Sequence, residues 1–293
     1  MSQLRMLACF AHPDDEAFAA SGVLAASTAR GVQVRLLCAT CGEEGDIRQP
    51  GSATPETLAK VRYAELRRSC QALRVAEPIM LGYRDSGWGD APAQYHPEAF
   101  VQAPALEVVQ RLVEEIRRWQ PHMVLTFGPD GMSGHKDHKA ICRHTTAAVH
   151  LAGDPAVFPE HAHSGLGPYT PQRLWYVTRL SGYRLHRATL LRQAGLTVPL
   201  PEDDAARPLG TPLEAIHIQL DVTPYLEQKL ASMRCHQTQM DAEWAFDNVP
   251  WETTRAILGT EYLLQAHPAV PPGTPRVTGF LAGLTGGHSG PLP

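Results

Sequence analysis

Short runs of β-branched and other apolar residues alternate along the chain with longer stretches whose apolar positions recur at helical spacing. That alternation predicts a parallel sheet covered by helices. A first strand is expected over residues 4–10, followed by a helix over about 17–29 that Gly31 terminates. A second strand, 32–39, leads through the polar loop Gly42-Glu43-Glu44-Gly45-Asp46 to a helix over about 55–73, with Ala59, Ala64, Leu66, Cys70 and Leu73 on its buried face. Strand three is the short run 79–81. The loop from Tyr83 to about Pro104 is long for a connection and rich in Gly, Asp and Trp, which suggests function. A helix over 106–119, a strand over 123–127 introduced by Pro121, a Gly-rich turn and a helix over about 135–151 follow. Beyond this the pattern loosens. Residues 173–180 and 215–222 read as later strands, the region between them as loop, and 224–235 as a helix begun by Thr223.

The fold class implied is α/β: a Rossmann-like, doubly wound, mostly parallel sheet with helices on both faces. No internal repeat or linker divides the chain, so residues 1–270 are expected to form a single domain and 271–293, dense in Pro and Gly, a poorly ordered tail. In the common strand order 3-2-1-4-5, strands one and four are neighbours, and ligands bind beyond their carboxyl ends.

Composition narrows the classes of function. With 293 residues and 43% hydrophobic content the chain can bury a substantial core. The 26 basic and 30 acidic residues give a net charge of -4, with no run of Lys and Arg to track a phosphate backbone, so nucleic acid is not an expected partner. No apolar stretch approaches bilayer length and no charged leader precedes the first strand, so neither membrane insertion nor export is expected; the reading is cytoplasmic. A homo-oligomer is compatible with this composition. Six cysteines, at 9, 38, 41, 70, 142 and 235, fall largely in apolar stretches and read as reduced thiols. Cys38 and Cys41 form a C-x-x-C, but no second one exists and no helix opens after it, so a redox or structural zinc role is disfavoured.

Two loops carry the candidate chemistry. His12-Pro13-Asp14-Asp15-Glu16 follows the first strand, crowding three carboxylates and an imidazole into one turn. Neighbouring carboxylates raise each other's pKa, so such a turn calls for a cation or a proton-transfer task. The second cluster, Gly131 to His138, follows strand four and again holds His and Asp: His135, Asp137 and His138. His12 and Asp15, three apart, can face one point, and His138 can join them from the other loop. Two His and one carboxylate with a fourth position left to water is a catalytic zinc arrangement, although nitrogen and oxygen ligands admit other divalent metals. Alone, a His-x-x-Asp is more often a helix cap. Two clusters at matching strand ends argue against that reading here.

Ala11-His12-Pro13-Asp14-Asp15-Glu16, paired with Gly134-His135-Lys136-Asp137-His138, resembles the two signatures of the PIG-L/LmbE-like family of zinc-dependent N-deacetylases. Weaker matches are Gly42-Glu43-Glu44-Gly45, Arg62 with Glu65, Asp85, and His236-Gln237-Thr238-Gln239. The resemblance implies removal of the N-acetyl group from an N-acetylglucosamine-type small molecule. It also implies Zn2+ on His12, Asp15 and His138, with Asp14 as general base. His135 is then the candidate for the developing oxyanion, with Asp137 holding its ring and favouring its protonated form. Arg62, Glu43 and Asp85 are the candidate substrate-binding residues. Family members of the mycothiol-pathway type carry a Tyr shortly before the second motif's His, where this chain has Met132, Ser133 and Gly134. Two other readings are an amidase cleaving a larger sugar-linked thiol-cofactor conjugate, and a non-catalytic sugar or nucleotide-binding module. The module reading is weakened by the lack of a Gly-rich phosphate loop after any strand.

Overall fold

A computed structural model describes residues 3–201, 209–240, 246–271 and 279–284. Its strands are β1 (Arg5–Phe10), β2 (Gln33–Thr40), β3 (Ile79–Tyr83), β4 (Met123–Phe127), β5 (Arg173–Thr178), β6 (Ile218–Asp221) and β7 (Thr260–His267). They form one sheet in the order β3-β2-β1-β4-β5-β7-β6. The first five pair in parallel in the expected 3-2-1-4-5 order, while β7 runs antiparallel between β5 and β6. β1 and β4 are continuous apolar runs because both faces of the sheet centre are covered.

The helices are α1 (Asp15–Ala29), α2 (Leu58–Ala72), α3 (Ala105–Trp119), the single turn α4 (Gly131–Gly134), α5 (Lys136–Leu151), α6 (Tyr183–Gln193), α7 (Leu226–Arg234) and α8 (Trp251–Leu258). α3 packs against α5, and α7 against both α1 and α2. One apolar cluster surrounds the sheet; a second joins Ala17 of α1 to Leu191, Leu226, Leu230, Met233 and Ile257. None of the described helices is long and apolar enough to cross a membrane.

Three elements depart from the sequence reading. The stretch read as loop contains α6, which buries only Ala188 and Leu191 and so shows too narrow an apolar stripe to be recognised. α8 is only two turns long, and β7 opens with Glu261 facing inward, which interrupts the apolar alternation. Lys229 Nζ donates to Glu261 Oε1 at 2.6 Å, and the backbone N–H groups of Gly22 and Val23 donate to the same carboxylate, so this buried charge is fully partnered. The expected tail also needs correction: Phe280 and Leu284 are buried in the main core, because these apolar side chains find a place against the sheet. The remainder of that segment, 272–278 and 285–293, lies outside the described residues.

All six cysteines are free. Burial pushes the Cys9 thiol up to about 12 and the Cys142 thiol up to about 11, and it raises Cys38 as well, which removes the thiolate needed for reaction. Thiol titration of the native protein at pH 8 is therefore expected to find at most Cys41 and Cys235, the two part-exposed thiols, reacting on the minute timescale. All six should react after denaturation. A fast reaction at Cys38 would contradict its burial.

Candidate active site

β1 and β4 are adjacent, with Met6 opposite Met123 and Ala8 opposite Leu125, so the loops that follow them meet at one edge of the sheet. There His12 Nδ1 lies 3.1 Å from His138 Nε2, His138 Nε2 lies 3.2 Å from Asp15 Oδ1, and His12 Nδ1 lies 3.7 Å from Asp15 Oδ2. The other nitrogen of each ring is already committed. His12 Nε2–H donates to Asp137 Oδ2 at 3.1 Å, and His138 Nδ1–H donates to the Gly131 carbonyl at 3.0 Å. With those hydrogens placed, the neutral forms of both rings turn a lone pair toward the Asp15 carboxylate. Such a group of ligand-type atoms suits a cation. The 3.1 Å and 3.2 Å separations are close to the roughly 3.3 Å edges that a tetrahedral nitrogen and oxygen set with bonds of about 2.0–2.2 Å would have, while the 3.7 Å contact is to the other Asp15 oxygen. The residues present therefore fit a divalent metal ion. His135 supplies a further nitrogen, the donor atoms of His12, His135 and His138 all lying within 4.8 Å of one another.

The local field agrees. Burial alone would push His12 down, but Asp85, Asp137 and Asp15 around it outweigh that and hold it well above its ordinary range. Surroundings that favour a proton there favour a metal cation equally. Burial alone would raise Asp15; the His138 and His12 rings and the backbone N–H groups of Ala11 and His12 hold it well below the usual carboxylate range.

Asp14 stands apart from its neighbour. Its φ is 133° and ψ -22°, a conformation non-glycine residues rarely adopt, and its side chain makes no cap bond to α1. Freed from capping, the carboxylate reaches the cavity and Arg62, whose Nη2 lies 3.1 Å from Asp14 Oδ2. Burial pushes Asp14 up, against the pull of Arg62, to about 6.

Several expected roles shift. Arg62 is 3% exposed, and besides Asp14 it donates to the Pro13 carbonyl at 2.6 Å and the Gly42 carbonyl at 2.7 Å. It holds the turn that carries Asp14 in place, and it also lines the cavity, where it was expected to meet substrate. A Cβ on Gly42 would sit 2.3 Å from Arg62 Nη1, which explains the glycine in that loop. Glu43 does not line the cavity; its neighbours Glu44, Gly45 and Asp46 do, since the chain turns at Gly42 with φ of 68°. Asp85 does line it, with Oδ1 accepting from the Gly87 N–H and lying 3.4 Å from His12 Nε2.

Asp137 was expected to hold His135, but its Oδ2 instead accepts from His12 Nε2–H and from the Ser86 N–H at 3.0 Å. The reason is local: His135 caps α5, its Nδ1 accepting from the Asp137 N–H at 3.1 Å, so the Asp137 side chain is turned toward β1 and the β3 loop. The His135 ring is thus the neutral Nε2–H tautomer rather than the expected cation, and burial with the His12 and His138 rings pushes it down to about 3. Gly131, with φ of 68° and His138 Cβ only 3.0 Å from where its own Cβ would stand, lets its carbonyl meet His138.

The cavity over this cluster has a volume of about 540 Å³. Lining residues that the sequence reading did not name include Trp88, 65% exposed with its ring 5.4 Å from that of His135, and Arg179; Gln239 from the later half of the chain lines it too. Trp88 sits in the loop singled out for its length. Arg179 lay near the end of the expected strand 173–180, and Gln239 belongs to the weak match at 236–239.

The family described as PIG-L: GlcNAc-PI de-N-acetylase matches residues 7–149, which contain both clusters. A Thermobispora bispora protein, 1D-myo-inositol 2-acetamido-2-deoxy-alpha-D-glucopyranoside deacetylase, is 32% identical over 300 residues, spanning 99% of this chain and 96% of its own. The chain belongs to the PIG-L family. Among solved structures, this PIG-L protein resembles the N,N'-diacetylchitobiose deacetylase of Pyrococcus horikoshii, with a TM-score of 0.63, 21% identity and coverage of 89% and 83% of the two chains. It also resembles GalB, the 4-carboxy-2-hydroxymuconate hydratase of Pseudomonas putida, with a TM-score of 0.61, 17% identity and coverage of 92% and 98%. At these identities the likeness speaks for the fold alone.

Proposed function

We propose that this PIG-L protein is a metal-dependent hydrolase that removes the acetyl group from an N-acetylglucosamine-type substrate, releasing acetate and a free amine. The observation that carries this reading is the convergence of His12 Nδ1, His138 Nε2 and the Asp15 carboxylate, beside the unusually held Asp14.

His12, Asp15 and His138 would hold the cation, with zinc favoured by the ligand types and other divalent ions compatible. When bound, such an ion polarises an amide carbonyl and acidifies water. Asp14 takes a proton from the attacking water and, as the carbon–nitrogen bond breaks, returns it to the leaving amine, a task suited to a carboxylate raised toward neutrality. Arg62 and the Pro13 carbonyl it grips keep Asp14 turned to the cavity. His135 Nε2–H, free of any ring partner on that side because Nδ1 is the α5 cap, donates to the carbonyl oxygen as negative charge develops there. Asp137 and the Gly131 carbonyl keep the two ligand imidazoles in the tautomers that leave lone pairs facing inward. Trp88 offers an apolar ring face beside His135 on which the sugar can rest.

The test is acetate release across a panel of N-acetylglucosaminides that includes the inositol conjugate named for the Thermobispora relative, with and without a chelator. Chelator-sensitive release of acetate and amine in equal amounts is expected. Cleavage of a thiol-cofactor conjugate without release of acetate from any panel member would replace this reading with the amidase one.

A further inference from the structure

We propose that Glu16 and His236 are positioning residues for the deacetylation, acting through Asp14. The inference rests on Asp14 being the base. Its ground is a buried chain of hydrogen bonds that ends at the Asp14 backbone. The Asp14 N–H donates to Glu16 Oε2 at 3.2 Å; Glu16 Oε1 accepts from His236 Nε2 at 2.6 Å and from the Ser69 hydroxyl, which also pairs with the Ser232 hydroxyl at 2.7 Å. Glu16 is 1% exposed and His236 is fully buried, and neither lines the cavity, so neither can touch a bound sugar.

A carboxylate in the first turn of a helix ordinarily accepts from free backbone N–H groups of that turn. Glu16 instead reaches back to the N–H of the residue preceding α1, the one whose φ is 133°. A backbone held in so rare a conformation persists only where its surroundings over-determine it. Arg62 grips the side chain of Asp14 and Glu16 grips its amide, so the carboxylate is fixed from both ends. His236 arrives from the end of α7, and with Ser69 of α2 it fixes the Glu16 side chain in turn. Releasing the amide would let Asp14 relax toward an ordinary cap, swinging its carboxylate onto the α1 N–H groups and away from the water.

A double-mutant cycle tests this. Glu16→Gln and His236→Gln are each made alone and in combination with Asp14→Asn, and kcat, KM, bound metal and melting temperature are measured for every variant. In the native background each is expected to lower kcat by about 10- to 100-fold, since small misplacements of a reacting group are costly. KM and bound metal should change little. In the Asp14→Asn background neither should cost more than about 2-fold further, because the route through which they act is already gone. Equal losses in both backgrounds, or loss of metal in step with loss of rate, would overturn the proposal while leaving the base assignment standing. A rate that survives Asp14→Asn would overturn the base assignment and this proposal with it. If Glu16→Gln does not fold, the His236→Gln arm decides on the same criteria.

Discussion

Asp14→Asn is expected to lower kcat by about 10²- to 10⁴-fold, the usual worth of a positioned acid or base. Bound metal and KM should stay close to native. The amide is nearly isosteric and can keep a hydrogen bond from Arg62, so the turn has little reason to collapse. What it cannot do is accept a proton. Asp15, one residue on, has both oxygens engaged by His138 and by two backbone N–H groups, so it is not free to take over. Steady-state kinetics alongside metal analysis of the purified variant check the result. A variant that loses its metal would mean that Asp14 belongs to the ligand set instead.

Asp137→Ala is expected to weaken metal affinity by about 10- to 100-fold, as removal of the partner that orients a ligand imidazole does. Without Asp137 Oδ2 the His12 ring loses the nearer of the two acceptors at Nε2, leaving only Asp85 Oδ1 at 3.4 Å, and Nδ1 is held less firmly toward the cavity. Competition with a chromogenic chelator measures the affinity, and excess metal should restore most of the rate. Had Asp137 served His135, as the sequence suggested, the rate would fall with the affinity unchanged and added metal would not help. The two outcomes separate cleanly.

The parallel half of the sheet was legible because its strands are short, mostly apolar runs, the central β1 and β4 almost wholly buried, set between helices of longer period. β7, α6 and α8 were not, since an inward-facing Glu261 and two weakly striped short helices depend on tertiary partners that local pattern does not encode. In the site, residue type and spacing were enough to pick out His12, Asp14, Asp15, His135 and His138 as one group. They were not enough to say which way a side chain turns. Asp137 lies two residues from His135 and one from His138, yet it faces His12 because the β3 loop, with Ser86, closes over that side. Arg62 was read as a candidate substrate contact; the approach of the β2 loop, with glycines where a Cβ would strike the guanidinium, also makes it an internal strut. The glycines in that loop were the available signal.

Every candidate ligand and the candidate base fall within residues 7–149, the part that the family describes. Two carboxylates buried in that part are nonetheless completed from outside it: Glu16 by His236, and Glu65 by the Thr238 N–H at 2.9 Å and its hydroxyl at 2.6 Å. Cut off after residue 149, the first half would keep every candidate ligand and the candidate base but lose the hydrogen bonds that His236 and Thr238 give to these two carboxylates. The segment 236–239 and the first motif thus complete one another, and exchange of later segments between relatives should succeed only where both travel together.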